Sequence, residues 1–155
     1  MSFNRRGPDN SKKAFSVKGR ASPEGDGNRP AQEGNCSKTI LFIDDELSVL
    51  AVRRPVFEAL GYSVLTASSG AEALNLLEAH AVDAVVLDYT MSPMDGEETA
   101  RNIRRVHCNV AIILSSGCLS LPASVLEIVD VSVEKGSGLG TLVETLRRLL
   151  PRADE

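Results

Sequence analysis

The sequence predicts an α/β fold built as a parallel sheet with helices packed on it. Two observations carry this. From Lys38 onward, short β-rich runs alternate with stretches of helical periodicity, the pattern of βαβ units. Two of those runs also end in acid: Thr39-Ile-Leu-Phe-Ile43 is followed by Asp44 and Asp45, and Ala84-Val-Val-Leu87 by Asp88. Open parallel sheets bind ligands at the carboxyl ends of their strands, where these acids would lie. Strands are expected near 39–43, 63–67, 84–87, 111–115 and 131–133, and five strands with five helices fit the length.

The first helix, about 46–60, is amphipathic through Leu47, Leu50, Phe57 and Leu60, and Gly61 supplies a left-handed stop. Pro55 is expected to kink it, because proline lacks the backbone donor and crowds the preceding turn. The second helix opens with a capping box, Ser69 to Glu72, and the third at Asp95, with Glu98 three residues on. Arg101, Arg104 and Arg105 fall on the third helix's exposed side. Residues 117–130 have the weakest pattern; Pro122 can begin a short helix containing Val125, Leu126 and Val129. In the last helix, about 138–150, Leu139, Leu142, Leu146, Leu149 and Leu150 form one stripe, and Pro151 ends it.

Composition fits one ordinary domain: 155 residues, 43% apolar, with 4% aromatic and no Trp, so the core is packed mainly with Val, Leu, Ile and Ala. No apolar run approaches the roughly 20 residues of a membrane span. Arg5-Arg6 is followed by no apolar segment, which makes it tail charge rather than an export signal, and a cytoplasmic location is expected. Cys36, Cys108 and Cys118 show no metal-ligand spacing and are odd in number, as reduced thiols would be. Met91 and Met94 are read as packing residues, and His80 and His107 lie outside the motifs. Residues 1–37 hold seven Lys or Arg and four Asp or Glu, a net of +3, against ten and seventeen in the remaining 118 residues, a net of −7. The division is therefore a disordered, solubilising tail over 1–37, a domain over 38–151, and a short tail over 152–155.

Three carboxylates gathered without countercharge repel one another and take up protons. A hard divalent cation is their natural occupant, which points to magnesium and a phosphoryl group. Blander readings stay open. Asp44 and Asp45 can cap the first helix, although capping needs only one of them; Asp88 can simply begin a loop, and Ser115 and Lys135 can be solvated.

Taken together, Ile40-Leu-Phe-Ile-Asp-Asp-Glu46, Val85-Val-Leu-Asp-Tyr-Thr-Met-Ser-Pro-Met-Asp-Gly96, Ile112-Ile-Leu-Ser-Ser-Gly117 and Val133-Glu-Lys-Gly136 resemble the receiver domain of two-component response regulators. The resemblance runs from about 38 to 150. It implies a flavodoxin-like (βα)5 fold with strand order 2-1-3-4-5. It makes Asp88 the phosphoacceptor, taking a phosphoryl group from a histidine of a sensor kinase or a histidine phosphotransfer protein. Mg2+ would be held by Asp45, Asp88 and the Thr90 carbonyl, with Asp44 acting through coordinated water. Lys135 and Ser115 would contact the phosphoryl oxygens. The chain would then be a phosphoprotein of phosphorelay signal transduction, not an enzyme acting on a separate substrate. Pro151–Glu155 is too short for a helix-turn-helix, so a single-domain regulator is expected, with an unidentified protein target and no direct DNA binding.

Four positions depart from the family pattern. Gly136 follows Lys135 where proline is usual, and Ser132 stands where the family has a switching Tyr or Phe. Met91-Ser-Pro-Met94 displaces a proline by one position, and Ser116 replaces a smaller residue. One alternative is therefore a degenerate receiver that docks without phosphorylation. Another is a Mg2+-dependent phosphohydrolase with an aspartyl nucleophile, although such enzymes usually carry Asp-x-Asp after the first strand.

Overall fold

In a computed structural model, residues 37–151 are described, apart from 93 and 119. The expected tails at 1–37, except Ser37, and at 152–155, together with Cys36 and the displaced proline at 93, lie outside the described residues. Along the chain run β1 (Thr39–Ile43), α1 (Leu47–Ala59), β2 (Ser63–Ala67), α2 (Gly70–Ala79), β3 (Ala84–Asp88), α3 (Gly96–Val106), β4 (Ala111–Ser116), α4 (Ala123–Leu126), β5 (Val131–Glu134) and α5 (Leu139–Leu149). All strand pairs are parallel. The sheet order is β2-β1-β3-β4-β5, the order the resemblance implied.

β3 is buried along its whole length because helices cover both faces of the sheet, which is why it reads as an unbroken apolar run. Side chains alternate between the faces. Ile40, Phe42, Val86 and Ile113 pack with Leu50 and Phe57 of α1 and Leu142 and Leu146 of α5. Leu41, Ile43, Val85, Leu87 and Ile112 pack on the other side with Leu77, Ile103 and Val125. Among the described residues no helix is long and apolar enough to cross a membrane.

Local signals place most helix ends. Ser69 accepts the Glu72 amide at the start of α2, while the Glu72 carboxylate reaches back to the Ser68 amide and hydroxyl. Asp95 accepts the Glu98 amide at 2.8 Å. Gly61, at φ 90°, ends α1 in the left-handed region that glycine tolerates. Pro55 is exposed and α1 continues through it to Ala59, so its missing donor falls on the solvent side, where the Ala51 carbonyl loses its usual partner.

Three readings need correction. Leu47 is 68% exposed, and the buried stripe of α1 is Leu50, Arg53 and Phe57. Arg104 is not a free surface charge. It donates to the carbonyls of Ile128, Cys108 and Val110 and to Asp130 Oδ2, and that same oxygen accepts the Ile112 amide at 2.7 Å, tying α3 to the start of β4. Finally, α4 is a single turn, with Val125 buried inside it and Val129 beyond its end.

Gly96 opens α3 against the end of β3, its amide bonded to the Tyr89 carbonyl at 3.0 Å. A Cβ there would lie 2.5 Å from the Asp88 carbonyl oxygen and 2.6 Å from Tyr89 Cα, both backbone atoms that cannot rotate away. Gly96→Ala is expected to destabilise the protein by about 2–3 kcal/mol through this overpacking. Urea denaturation measures it, and a loss below about 0.5 kcal/mol, the range of a neutral surface change, would mean the loop yields freely.

Candidate functional site

The sheet delivers the acids to one edge. Ile43 pairs with Leu87 and Asp88 with Ser115, so the residues that follow β1 and end β3 and β4 emerge side by side. The Asp44 amide bonds to the Ala67 carbonyl at 3.1 Å, fixing the exit from β1. Asp44 is fully buried, Asp88 is 2% exposed and Ser115 3%, whereas Asp45 is exposed. Carboxylate oxygens of Asp44, Asp45 and Asp88 all lie within 4.8 Å of one another.

Lys135, just past β5, closes the group. Its Nζ lies 3.1 Å from Asp88 Oδ2 and 3.5 Å from Asp44 Oδ2. Its backbone is held as well: the Lys135 amide bonds to the Ser116 carbonyl at 2.8 Å, and Ser137 returns its amide and its hydroxyl to the Glu134 carbonyl. This turn fixes the lysine where proline is usual after it. Thr90 donates its amide to Asp88 Oδ1 at 3.3 Å. Ser116 is 2% exposed and its hydroxyl accepts the Cys118 amide.

Neither Asp44 nor Asp45 caps α1. The capping position is Glu46, with no side-chain hydrogen bond to the helix, and Asp44 Oδ1 instead accepts the Glu46 amide at 3.0 Å. The other oxygen, Asp44 Oδ2, is buried and has no hydrogen-bond partner among the described residues. A buried carboxylate oxygen facing cations beyond ordinary hydrogen-bond length is a vacant acceptor. Together with two further carboxylates this all-oxygen donor set suits a hard divalent cation.

The electrostatics are those of crowded acid. Burial pushes the Asp88 carboxyl above its usual range, the hydrogen bond from Lys135 pulls it down, and the charge of Asp44 pushes it up again. Burial works against the Lys135 ammonium, but the hydrogen bond to Asp88 and the nearby Asp44 more than offset it, so that its pKa is raised.

Sequence reasoning missed Arg53. It occupies the core face of α1, 7% exposed, with Nη1 3.8 Å from Asp44 Oδ2 and the guanidinium carbon 5.8 Å from the Phe42 ring centroid. Burial lowers its pKa against the pull of Asp44 and Asp88. The signal was available: a charge midway between Leu50 and Phe57 on the apolar stripe of the helix that follows the acidic pair.

On the opposite face of the sheet edge, Ser132 is exposed. With Ser116, Cys118, Leu121 and Leu126 it lines a cleft of about 340 Å3. Cys108 and Cys118 are free and exposed.

The sequence matches the response regulator receiver domain family over residues 40–134. The chain belongs to this family. It is 29% identical over 123 residues to the transcriptional regulatory protein GlrR of Escherichia coli (strain K12), a match covering 75% of this chain and 28% of GlrR. It is 34% identical over 116 residues to the response regulator MprA of Mycobacterium sp. (strain KMS), covering 73% of this chain and 50% of MprA. The chain therefore spans half or less of these curated relatives. Among solved structures, the response regulator TrrA of Thermotoga maritima in complex with Mg2+ and BeF is 30% identical, with a TM-score of 0.68 over 73% of this chain and 99% of that one. TrrA in complex with the histidine kinase ThkA gives a TM-score of 0.67 over 73% of this chain and 98% of that one, again at 30% identity. This chain is thus a receiver domain of the two-component type, with the flavodoxin-like fold.

Proposed function

We propose that this receiver domain takes a phosphoryl group onto Asp88 from a phosphohistidine of a sensor histidine kinase or a phosphotransfer protein, and signals by binding a protein target when phosphorylated. The observation that carries the reading is the ammonium of Lys135, 3.1 Å from Asp88 and 3.5 Å from Asp44, beside Ser115 at the strand-end edge. An Asp88 oxygen attacks phosphorus; the new O–P bond forms as the N–P bond breaks, and the imidazole leaves with the electron pair and takes a proton from solvent. Phosphoryl transfer asks chiefly for positioning and charge neutralisation. Lys135 supplies a point charge to one phosphoryl oxygen and the Ser115 hydroxyl a hydrogen bond to another. Asp45, Asp88 and the Thr90 carbonyl would hold Mg2+, with Asp44 acting through water. That cation would neutralise charge on the transferring group. Attack of water on phosphorus, forming a new O–P bond as the bond to the Asp88 oxygen breaks, would release inorganic phosphate and return the carboxylate to its resting state in the cytoplasm, with no separate substrate turned over.

The kinase complex of TrrA supports a kinase as the donor, and its Mg2+ and BeF complex supports Mg2+ at the acidic cluster. A second reading, phosphorylation-independent docking, is favoured by Ser132 and the cleft it leaves. Intact-mass spectrometry after incubation with acetyl phosphate separates the two. A phosphoryl adduct that needs Mg2+ is the expected result; no adduct, together with no binding of beryllofluoride, would favour the docking module.

A further inference from the structure

Arg53 is a buried cation that phosphoryl transfer as derived above leaves unused. A guanidinium on the core face of a helix carries a large desolvation penalty, and a hydrogen-bonded, two-pronged pair with a carboxylate is the geometry that best offsets it. Arg53 does not have that geometry. Its Nη1 stands 3.8 Å from Asp44 Oδ2, neither atom has a hydrogen bond among the described residues, and Lys135 Nζ approaches the same oxygen at 3.5 Å. Two cations thus share one acceptor. Arg53 also lines a cleft of about 410 Å3 together with Val49, Val52 and Leu139 of the flanking helices and with Ser115 and Lys135 of the acidic site.

We propose that Arg53 is a resident counterion that competes with the divalent cation for Asp44, holding that carboxylate in the metal-free pocket and weakening Mg2+ binding. The proposal rests on the reading of the acidic cluster as a Mg2+ site. A fixed positive charge next to a ligand of the cation repels it, and at a buried position solvent and salt screen the repulsion only weakly. A neutral side chain at position 53 would remove the repulsion and leave Asp44 unclaimed.

The test is calorimetric titration of Mg2+ into the full chain as wild type, Arg53→Gln, Arg53→Met and Arg53→Lys, with melting temperatures in EDTA and in Mg2+. Gln and Met variants are expected to bind Mg2+ at least about tenfold more tightly, a difference of one decade in the dissociation constant. The Lys variant, which keeps the charge, is expected to stay near wild type. In EDTA the neutral variants are expected to melt lower than wild type, and Mg2+ to close the gap. Should the Met variant not fold, Gln carries the comparison. Affinity in the Gln variant equal to or weaker than wild type, or a gain in the Lys variant as large as that in Gln, would overturn the competition. Absence of any Mg2+ heat or Mg2+ stabilisation in all four proteins would instead overturn the metal reading, and the inference with it.

Discussion

Asp88→Asn is expected to lose the phosphoryl adduct completely and, in EDTA at neutral pH, to melt higher than the wild type. The first effect is chemical: the amide has nearly the shape of the carboxylate but no nucleophilic oxygen. The second follows from linkage. Burial first, and then Asp44, raise the Asp88 pKa above its ordinary 3.8 in spite of Lys135. A carboxyl with a raised folded pKa contributes stability that is fully present below the unfolded value and is lost as pH rises through the folded one. At pH 7 the ionised Asp88 is therefore a net cost, and Asn removes it while Lys135 keeps Asp44 at 3.5 Å. The gain appears as a higher melting temperature of the variant, in the direction set by the raised pKa. It should vanish near pH 4 and reverse in sign when Mg2+ is added, because the cation stabilises only a pocket that keeps its ligands. Melting curves at pH 4 and pH 7, in EDTA and in Mg2+, measure this. A variant that melts below the wild type in EDTA at pH 7 would show that the Lys135–Asp88 contact outweighs burial, and an adduct persisting at wild-type level would move the phosphoacceptor away from Asp88.

What the sequence makes legible is what the backbone itself specifies. Apolar runs closing in acid fix where β1 and β3 end, and parallel pairing then brings Asp44, Asp88 and Ser115 together without any tertiary detail. Caps such as Ser69, Asp95 and Gly61 act within a few residues and can be read locally. The misreadings concern side chains whose partners are distant in sequence. Arg104 lies on the polar side of α3 by periodicity, yet its partner Asp130 is 26 residues away, and only the fold shows that one Asp130 oxygen accepts from both Arg104 and the Ile112 amide of β4. Leu47 fits the helical period but is the first residue of α1 and is left 68% exposed. Arg53 was missed for the opposite reason: its spacing from Leu50 and Phe57 is that of a core residue, and a charge is rarely buried there. The connection through α4 stays weak in the sequence because one turn buries a single residue, Val125, which leaves no periodicity to read.

Lys135→Met tests how far one ammonium accounts for the chemistry. Methionine keeps the length of the stem and removes the charge, so that among the described residues the pocket retains three carboxylates with Arg53 as the cation close to them. Asp88 loses the hydrogen bond that lowers its pKa, leaving burial and Asp44 to raise it further. Phosphorylation by acetyl phosphate is expected to slow by about 100- to 1000-fold, the usual loss when one preorganised donor to a developing anionic charge is removed. The rate should also rise with pH over a higher range than in the wild type, because more of Asp88 stays protonated and only the carboxylate attacks. The raised pKa of Lys135 itself supplies a second check. A base with a raised folded pKa stabilises the protein below its unfolded value and loses that contribution as pH rises through the folded one, so the metal-free wild type is expected to weaken above its ordinary 10.5 in a way the variant does not. Lys135→Arg restores the charge but replaces a compact ammonium with a planar fork, so a partial recovery of rate is expected, smaller than full return. A Met variant phosphorylated as fast as wild type, with an unshifted pH profile, would leave Lys135 as a structural counterion and place the neutralisation of the phosphoryl group on the cation alone.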